Sequence, residues 1–260
     1  PMKLAAMEGL YKGEKNAGLV AAGILNPAKK LGDENDAFLF EIKVPYALGI
    51  MANRELDSFT PGINDLLYGN SEHNLISVEE KMAKGKVAIE ALKNYKEAKK
   101  ANDESLMKSS LSNLESNLNF LGYGYLKDAK EAVPPVALTF YSFHIMVALG
   151  TYFIALFAIT LYLNLSRKYK FENIRAFLWI CLFTIPLGYI AAEAGWIVTE
   201  VGRQPWVIQD LMTVGVGATN LSDSNVKISF ILFAVLFTVL LIAEIKIMLK
   251  QIKIGFNDHA

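Results

Sequence analysis

Three long apolar runs in the second half of the chain constrain its fold more than any other feature. They cover residues 136–165, 176–198 and 228–249. About 20 helical residues cross the ~30 Å hydrocarbon core of a bilayer, so each run is long enough to span one. The third fits least cleanly, because Glu244 and Lys246 lie near its end. The alternative is three buried helices of a large soluble protein, but nothing else in the chain would cover them.

The first 132 residues are polar and rich in Lys and Glu, so charge and hydrophobicity occupy separate parts of the chain. Proline-free stretches with helical spacing at 78–99 and 104–121 predict an amphipathic helical hairpin within about 75–128. A solvated surface is the simplest interpretation of its charges. The predicted fold class is an all-α membrane protein: three transmembrane helices of a larger bundle and a mostly helical extracytoplasmic loop domain.

The distribution of basic residues predicts the orientation in the membrane. The short link 166–175 is rich in them, whereas the longer link 199–227 carries only Arg203 and Lys227. Short loops rich in Lys and Arg remain in the cytoplasm. We therefore expect 166–175 (with Arg167, Lys168, Lys170 and Arg175) and the C-terminus in the cytoplasm, and 1–132 and 199–227 outside. The predicted domains are the loop region 1–132 and the transmembrane region 133–260.

Charge and cysteine content exclude several classes of function. The net charge is zero, which gives no indication of nucleic-acid binding. Cys181 is the single cysteine, so an intrachain disulfide and a paired-cysteine metal motif are both excluded. The chain starts at Pro1 in what reads as continuing sequence, and we expect it to be truncated.

Ionisable groups at membrane depth are costly, so they indicate function. In the second run Glu193, Trp196, Glu200 and Arg203 are spaced so that they share one helix face. Such a face could ligate a metal or cofactor. Alternatively, Glu200 pairs with Arg203 at the membrane interface, which the spacing alone favours.

The first run contains His144 and Met146. A packing methionine and a histidine with satisfied hydrogen bonds are the simplest interpretations. A thioether is nevertheless a known axial ligand of haem iron. His73 and His259 lie in polar stretches without ligand spacing.

Four segments together resemble subunit I of the cytochrome bd quinol oxidases. They are PMKLAAME at 1–8, KVPYALG at 43–49, FYSFHIM at 140–146 and EAGWIVTEVGRQPW at 193–206. Their order and spacing agree with that family over essentially the whole chain. The long distance between the first and third segments resembles the long-loop type, with the hairpin at 75–128 as an accessory insert.

The resemblance implies roles for single residues. It implies that Met146 is the axial ligand of the low-spin haem b and that Glu200 ligates one of the two high-spin haems. The other implied roles are quinol oxidation (Lys3 and Glu8), a position between haems (Trp196), pairing with a haem propionate (Arg203) and a looser match (Glu193). His144 stands where the family often has Arg, so a neutral ring would lower the haem potential and His144→Arg would raise it.

The implied activity is quinol oxidation outside and reduction of oxygen to water through two haems b and one haem d, without proton pumping. The implied location is the bacterial cytoplasmic (inner) membrane. The implied partners are lipid, quinol, subunit II, in some members a small subunit, and the missing N-terminal half with its histidine ligands. We expect this chain alone to be inactive.

Two other classes of protein compete with this interpretation. A membrane-anchored receptor or transporter subunit would explain the topology but not the shared face from Glu193 to Arg203. A different haem-bearing quinone enzyme would require pairs of histidines within the spans, and these are absent.

Overall fold

The computed structural model describes residues 1–55, 57–165, 174–219 and 222–254. The chain divides into two compact units, Pro1–Gly217 and Ala218–Ala260. Most described residues are helical, and three of the described helices are long and apolar enough to cross a membrane. The predicted fold class is confirmed. Arg167, Lys168, Lys170 and His259, on which parts of the sequence analysis relied, lie outside the described residues.

The first unit begins with short helices and strands that the sequence analysis did not predict. The strand Glu14–Lys15 pairs antiparallel with Phe59–Thr60, and the strand Leu19–Leu25 pairs antiparallel with Phe38–Val44. The elements are α1 (Met2–Met7), β1 (Glu14–Lys15), β2 (Leu19–Leu25), β3 (Phe38–Val44), α2 (Ala47–Asn53), β4 (Phe59–Thr60) and α3 (Ile63–Tyr68). Strands this short are determined by their partners more than by their own propensity.

The predicted helical hairpin forms from α4 (Val78–Ala101) and α5 (Glu104–Asn117), followed by a 3-10 helix, Leu118–Tyr125. Asn102 ends α4 in the left-handed conformation, and the Asp103 side chain accepts hydrogen bonds from the first backbone N–H groups of α5. Such caps satisfy backbone groups that have no partner within a helix. They explain why the turn is so short.

Two membrane helices follow, α6 (Val136–Leu165) and α7 (Arg175–Glu200). They pack against each other, and the Tyr152 and Thr184 hydroxyl oxygens lie 2.7 Å apart between them. Hydrogen bonds of this kind join helices in membranes, where packing and polar contacts drive association. The bounds of α6 are those predicted, and α7 extends slightly beyond its predicted run.

The first unit ends with β5 (Trp206–Ile208), β6 (Met212–Thr213) and α8 (Val214–Gly217), in which the two strands pair antiparallel. The second unit contains one long helix, α9 (Asp223–Ile254). It is longer than its predicted run because polar residues at both ends continue the helix. None of its described side chains is buried within the chain.

The core of the loop region lies at the start of α6. One cluster of buried residues joins α1, α2 and α3, and Val133 and Val136 pack against it. A second cluster joins α4 to β5 through Met82 and Trp206. These two clusters place α1 and the β5–β6 hairpin beside the ends of the membrane helices.

Candidate functional site

Gly202 is a point of close approach between three parts of the chain. A Cβ atom there would lie 3.0 Å from the Thr139 methyl group of α6 and 3.5 Å from the Lys3 Cε atom of α1. It would also collide with the Val198 carbonyl oxygen. A glycine is therefore needed at this position. The structure brings Lys3 and the 202–206 segment together, although they are distant in sequence.

Glu8 lies at the C-terminal end of α1 and is only 2% exposed. The Val20 N–H donates to its Oε2 atom over 2.9 Å, while Oε1 has no hydrogen-bond partner among the described residues. Burial raises the pKa of the Glu8 carboxyl, and the Val20 N–H and the charges of His144 and Lys43 offset part of this rise. A buried carboxyl with a free oxygen is suited to exchanging a proton.

His144 joins α6 to β2 through its imidazole ring. Its Nδ1 atom lies 2.9 Å from the Phe140 carbonyl oxygen, and Nε2 lies 2.8 Å from the Val20 carbonyl oxygen. The ring also packs on the Phe140 ring, with centroids 4.0 Å apart. Only a ring protonated on both nitrogens can donate to both carbonyls. A neutral ring, as assumed in the sequence analysis, would leave one of the two carbonyl oxygens without a donor from His144.

Val20 is the residue of this site that sequence reasoning missed. Its N–H binds Glu8 and its carbonyl oxygen binds His144. Nearby, the Leu25 N–H donates to the Tyr141 hydroxyl oxygen over 3.1 Å. Peptide groups make these contacts, so no side-chain pattern could have identified the residue.

Met146 contacts α7 where that helix carries a glycine. The Met146 Sδ atom lies 3.2 Å from the position that a Cβ atom on Gly195 would occupy, a distance shorter than most real contacts of that kind. Gly195 lies between Glu193 and Trp196, so the thioether reaches the helix turn that carries the predicted cofactor residues.

Glu200 and Arg203 form an ion pair at the end of α7. The Arg203 Nη2 atom lies 2.7 Å from both carboxylate oxygens of Glu200. The pairing that the spacing favoured is therefore present, and both side chains remain partly exposed. Trp196 is 60% exposed, and Glu193 is also exposed, with no hydrogen bond or ion pair to the rest of the described chain. The face from Glu193 to Arg203 is thus open in this chain.

The donor chemistry of these residues fits haem. No group of three or more His, Cys, Asp or Glu side chains that could hold a metal ion occurs among the described residues. A thioether is a known axial ligand of haem iron, and a carboxylate oxygen is a donor that binds iron in other proteins. Met146 and Glu200 would each be able to contribute one donor atom.

The helical insert contacts the β5–β6 hairpin directly. Trp206 is buried and meets the Tyr123 ring edge-on, with centroids 4.8 Å apart. The Gly122 N–H donates to the Asp210 carbonyl oxygen over 2.9 Å. Burial and a hydrogen bond with the Asp210 carboxylate raise the pKa of Tyr123 well above its usual value. Sequence reasoning did not identify Tyr123 or Asp210, which are joined only by the fold.

Comparison with known proteins agrees with these features. The family described as cytochrome bd terminal oxidase subunit I matches residues 1–256. Cytochrome bd-II ubiquinol oxidase subunit 1 of Escherichia coli (strain K12) is 30% identical, and the alignment covers 98% of this chain and 49% of that protein. Cytochrome bd ubiquinol oxidase subunit 1 of Bacillus subtilis (strain 168) is 28% identical, with 98% and 42% covered.

A solved structure has a similar fold. The bd oxidase from Geobacillus thermodenitrificans matches with a TM-score of 0.58 at 22% identity, covering 98% of this chain and 42% of that chain. This chain spans about half the length of the curated relatives that it matches. The resemblance seen in the sequence is confirmed: the chain belongs to the cytochrome bd terminal oxidase subunit I family, whose members are haem-binding quinol:oxygen oxidoreductases of bacterial membranes.

Proposed function

We propose that this chain forms part of a respiratory terminal oxidase, where it handles quinol at the outer membrane face and holds two haems by one ligand each. The observation that carries the proposal is the Glu8 carboxyl, buried beside α6 with one oxygen that has no hydrogen-bond partner among the described residues. Family membership supports the oxidase as the setting for this group.

Quinol oxidation releases protons as well as electrons, so the site needs a proton acceptor. Glu8 is placed for this role because its raised pKa lets the carboxyl take up a proton more readily than an exposed carboxylate. The Val20 N–H fixes one carboxylate oxygen, and the other has no hydrogen-bond partner among the described residues, so it is available to a quinol hydroxyl. Lys3, held beside Gly202, provides a cation that orients a quinol oxygen.

The same proposal assigns the haem contacts. Met146 would hold the low-spin haem b, and Glu200 would hold one of the high-spin haems, b or d. When bound, these haems carry electrons from quinol to oxygen and reduce it to water. Arg203, already paired with Glu200, has further N–H groups for a haem propionate. Trp196, on the same face, would lie between the bound haems, and Glu193 lies one turn before it.

The surroundings of the chain complete the proposal. The loop region 1–132 and the link 199–227 face outward, and the link 166–175 and the C-terminus face the cytoplasm. The N-terminal half of the subunit supplies the missing histidine ligands, and subunit II, in some members with a small subunit, completes the enzyme. Protons released from quinol leave outside and those consumed with oxygen come from the cytoplasm, so charge is separated without a pump.

The test uses the complete oxidase with Glu8→Gln in this subunit. Loss of a general base lowers rates on the order of 100-fold or more, so quinol oxidation should fall by this amount. The reduced haem spectrum should be unchanged, because Glu8 holds no haem. Glu97→Gln, on the exposed surface of α4, is the control and keeps full activity. An unchanged rate in Glu8→Gln would refute the role of this carboxyl.

A further inference from the structure

The β2–β3 hairpin has one entirely apolar side. Cross-strand partners lie on the same side of a sheet, and the pairs Ala22–Ile42 and Ile24–Phe40 therefore share a side with Val44. We call these five residues the apolar hairpin face. Ile24, Phe40, Ile42 and Val44 are 53%, 55%, 53% and 47% exposed. Large contiguous apolar patches on a folded surface mark interaction sites.

The opposite side of the hairpin is different in character. It carries Glu41 and Lys43, and the Lys43 ammonium lies 3.4 Å from carboxylate oxygens of both Glu41 and Glu14. On this side, the Leu25 and Phe38 side chains lie within 3 Å of the Cβ position of Gly9, directly after α1. The charged side thus packs toward the loop core, and the apolar hairpin face points away from it.

The hairpin is attached to α6 at a deeper level than the loop core. The core packs on Val133 and Val136 at the start of the helix. Strand β2 binds Tyr141 and His144 instead, which lie roughly 8 and 12 Å further along the helix axis. The hairpin therefore contacts α6 further along the helix than the loop core does, and its apolar face points away from that core.

The hairpin also runs across α6 and not along it. From Val20 to Leu25 the strand advances about 16 Å. The two helix residues that bind these ends, His144 and Tyr141, are separated by only about 4.5 Å along the axis. A strand that crosses a membrane-spanning helix so steeply runs parallel to the membrane plane.

The length of α6 places this crossing at the membrane surface. Its 30 residues extend for about 45 Å, whereas the hydrocarbon core is ~30 Å thick. The helix is therefore about 15 Å longer than this core, which is enough for its first turns, as far as Tyr141 and His144, to lie among the lipid headgroups. Leu138 and Ile145, which flank the crossing on α6, are 47% and 46% exposed, so the surface of the helix near the crossing is also apolar.

We propose that the apolar hairpin face is inserted in the headgroup and upper acyl region of the bilayer, with membrane lipid as its partner. Tyr46, two residues after the end of β3 and 51% exposed, has the amphipathic ring that is enriched at membrane interfaces. The absence of charge from the face and the presence of Glu41 and Lys43 on the other side match a surface with lipid below and water above. This placement is independent of the roles proposed for Lys3 and Glu8.

The test is made on the complete oxidase in nanodiscs of phosphatidylethanolamine and phosphatidylglycerol. A spin label is placed by Ile42→Cys or by the matched control Glu41→Cys, on the opposite side of the same strand, in a background without other reactive cysteines (Cys181→Ser in this chain). Relaxation by oxygen, which concentrates in lipid, is compared with relaxation by a water-soluble nickel chelate.

The expected ratio of oxygen to nickel collisions is several-fold higher at position 42 than at position 41. Free nickel access at both positions would mean that the face is in water, and exclusion of both reagents at 42 would mean that protein covers it. Either result overturns the proposal. If the cysteine variants do not assemble, tryptophan fluorescence of Ile42→Trp is measured in brominated lipids instead. We expect stronger quenching than in the parent enzyme, and equal quenching would overturn the proposal.

Discussion

Glu8 and His144 bind the two ends of a single residue, Val20. The Val20 N–H donates to the Glu8 carboxylate over 2.9 Å, and the Val20 carbonyl oxygen lies 2.8 Å from the His144 Nε2 atom. His144 is two residues from Met146 on the same helix. The carboxyl that is proposed to take the quinol proton is therefore positioned from the helix that is proposed to hold the low-spin haem.

The pH dependence of quinol oxidation tests the state of Glu8. Its pKa is raised from 4.5 by burial, so the carboxyl loses its proton at a higher pH than an ordinary glutamate. A proton acceptor must first be deprotonated, so kcat/KM for quinol should rise with pH through this raised pKa and then level off. The acid limb should disappear in Glu8→Gln and persist in Glu97→Gln. If Glu8→Gln retains the acid limb of this pH profile, the limb belongs to another titrating group.

The replacement His144→Arg tests the redox prediction made from the sequence. If the ring is neutral, Arg adds a positive charge beside the low-spin haem and raises its midpoint potential. A redox titration of the complete oxidase measures this, with the uncharged His144→Gln as the control that should match the parent. Both ring nitrogens contact carbonyl oxygens, as those of a charged ring would. If the ring is already charged, the midpoint potential is unchanged in His144→Arg and lowered in His144→Gln, and this result would contradict the prediction.

Gly195→Ala tests the position of Met146. The added methyl group would lie 3.2 Å from the thioether sulfur, which must then shift by a few tenths of an ångström. We expect a shifted low-spin haem absorption band and a changed midpoint potential, because an axial bond is sensitive to the position of its ligand. Gly188→Ala is the matched control on α7, since no described atom outside the neighbouring helix backbone lies within 4 Å of its Cβ position. Identical spectra for both variants would argue against ligation by Met146.

Tyr123→Phe tests whether the helical insert is fixed to the β5–β6 hairpin. The variant loses the hydrogen bond to Asp210 while the ring against Trp206 remains. We expect a loss of about 1 kcal/mol in stability and faster proteolysis within the insert. Tyr125 is 38% exposed in the same 3-10 helix. Tyr125→Phe should therefore behave as the parent in thermal unfolding and limited proteolysis. Equal behaviour of the two variants would contradict a fixed insert.

The sequence predicted the long helices well because their signals are local. The apolar run of α6 and the capping residues around Asn102 specify those elements without help from distant residues. Strands β2 and β3 were missed, since their pairing and the bulges between them depend on residues up to 25 positions apart. The same reason hid Val20, whose contribution is made entirely by its peptide groups.

Single candidate residues divide in the same way. The Glu200–Arg203 pair followed from helical spacing alone. The proximity of Lys3 to Gly202 did not, because it depends on how α1 packs at the ends of α6 and α7. Only the resemblance to a family had connected these two segments. Glu193 and Trp196 remain exposed because no other described part of this chain covers them.

The contact of the insert with Asp210 and Trp206 has a consequence for biogenesis. The insert precedes α6 in the chain, and β5 and β6 follow α7, so the two surfaces meet on one side of the membrane only after both helices have crossed it. During synthesis the insert therefore cannot dock until the β5–β6 hairpin has been made. Its docking is therefore a late event, and a protease-resistant insert would report that the α6–α7 pair has been threaded correctly into the bilayer.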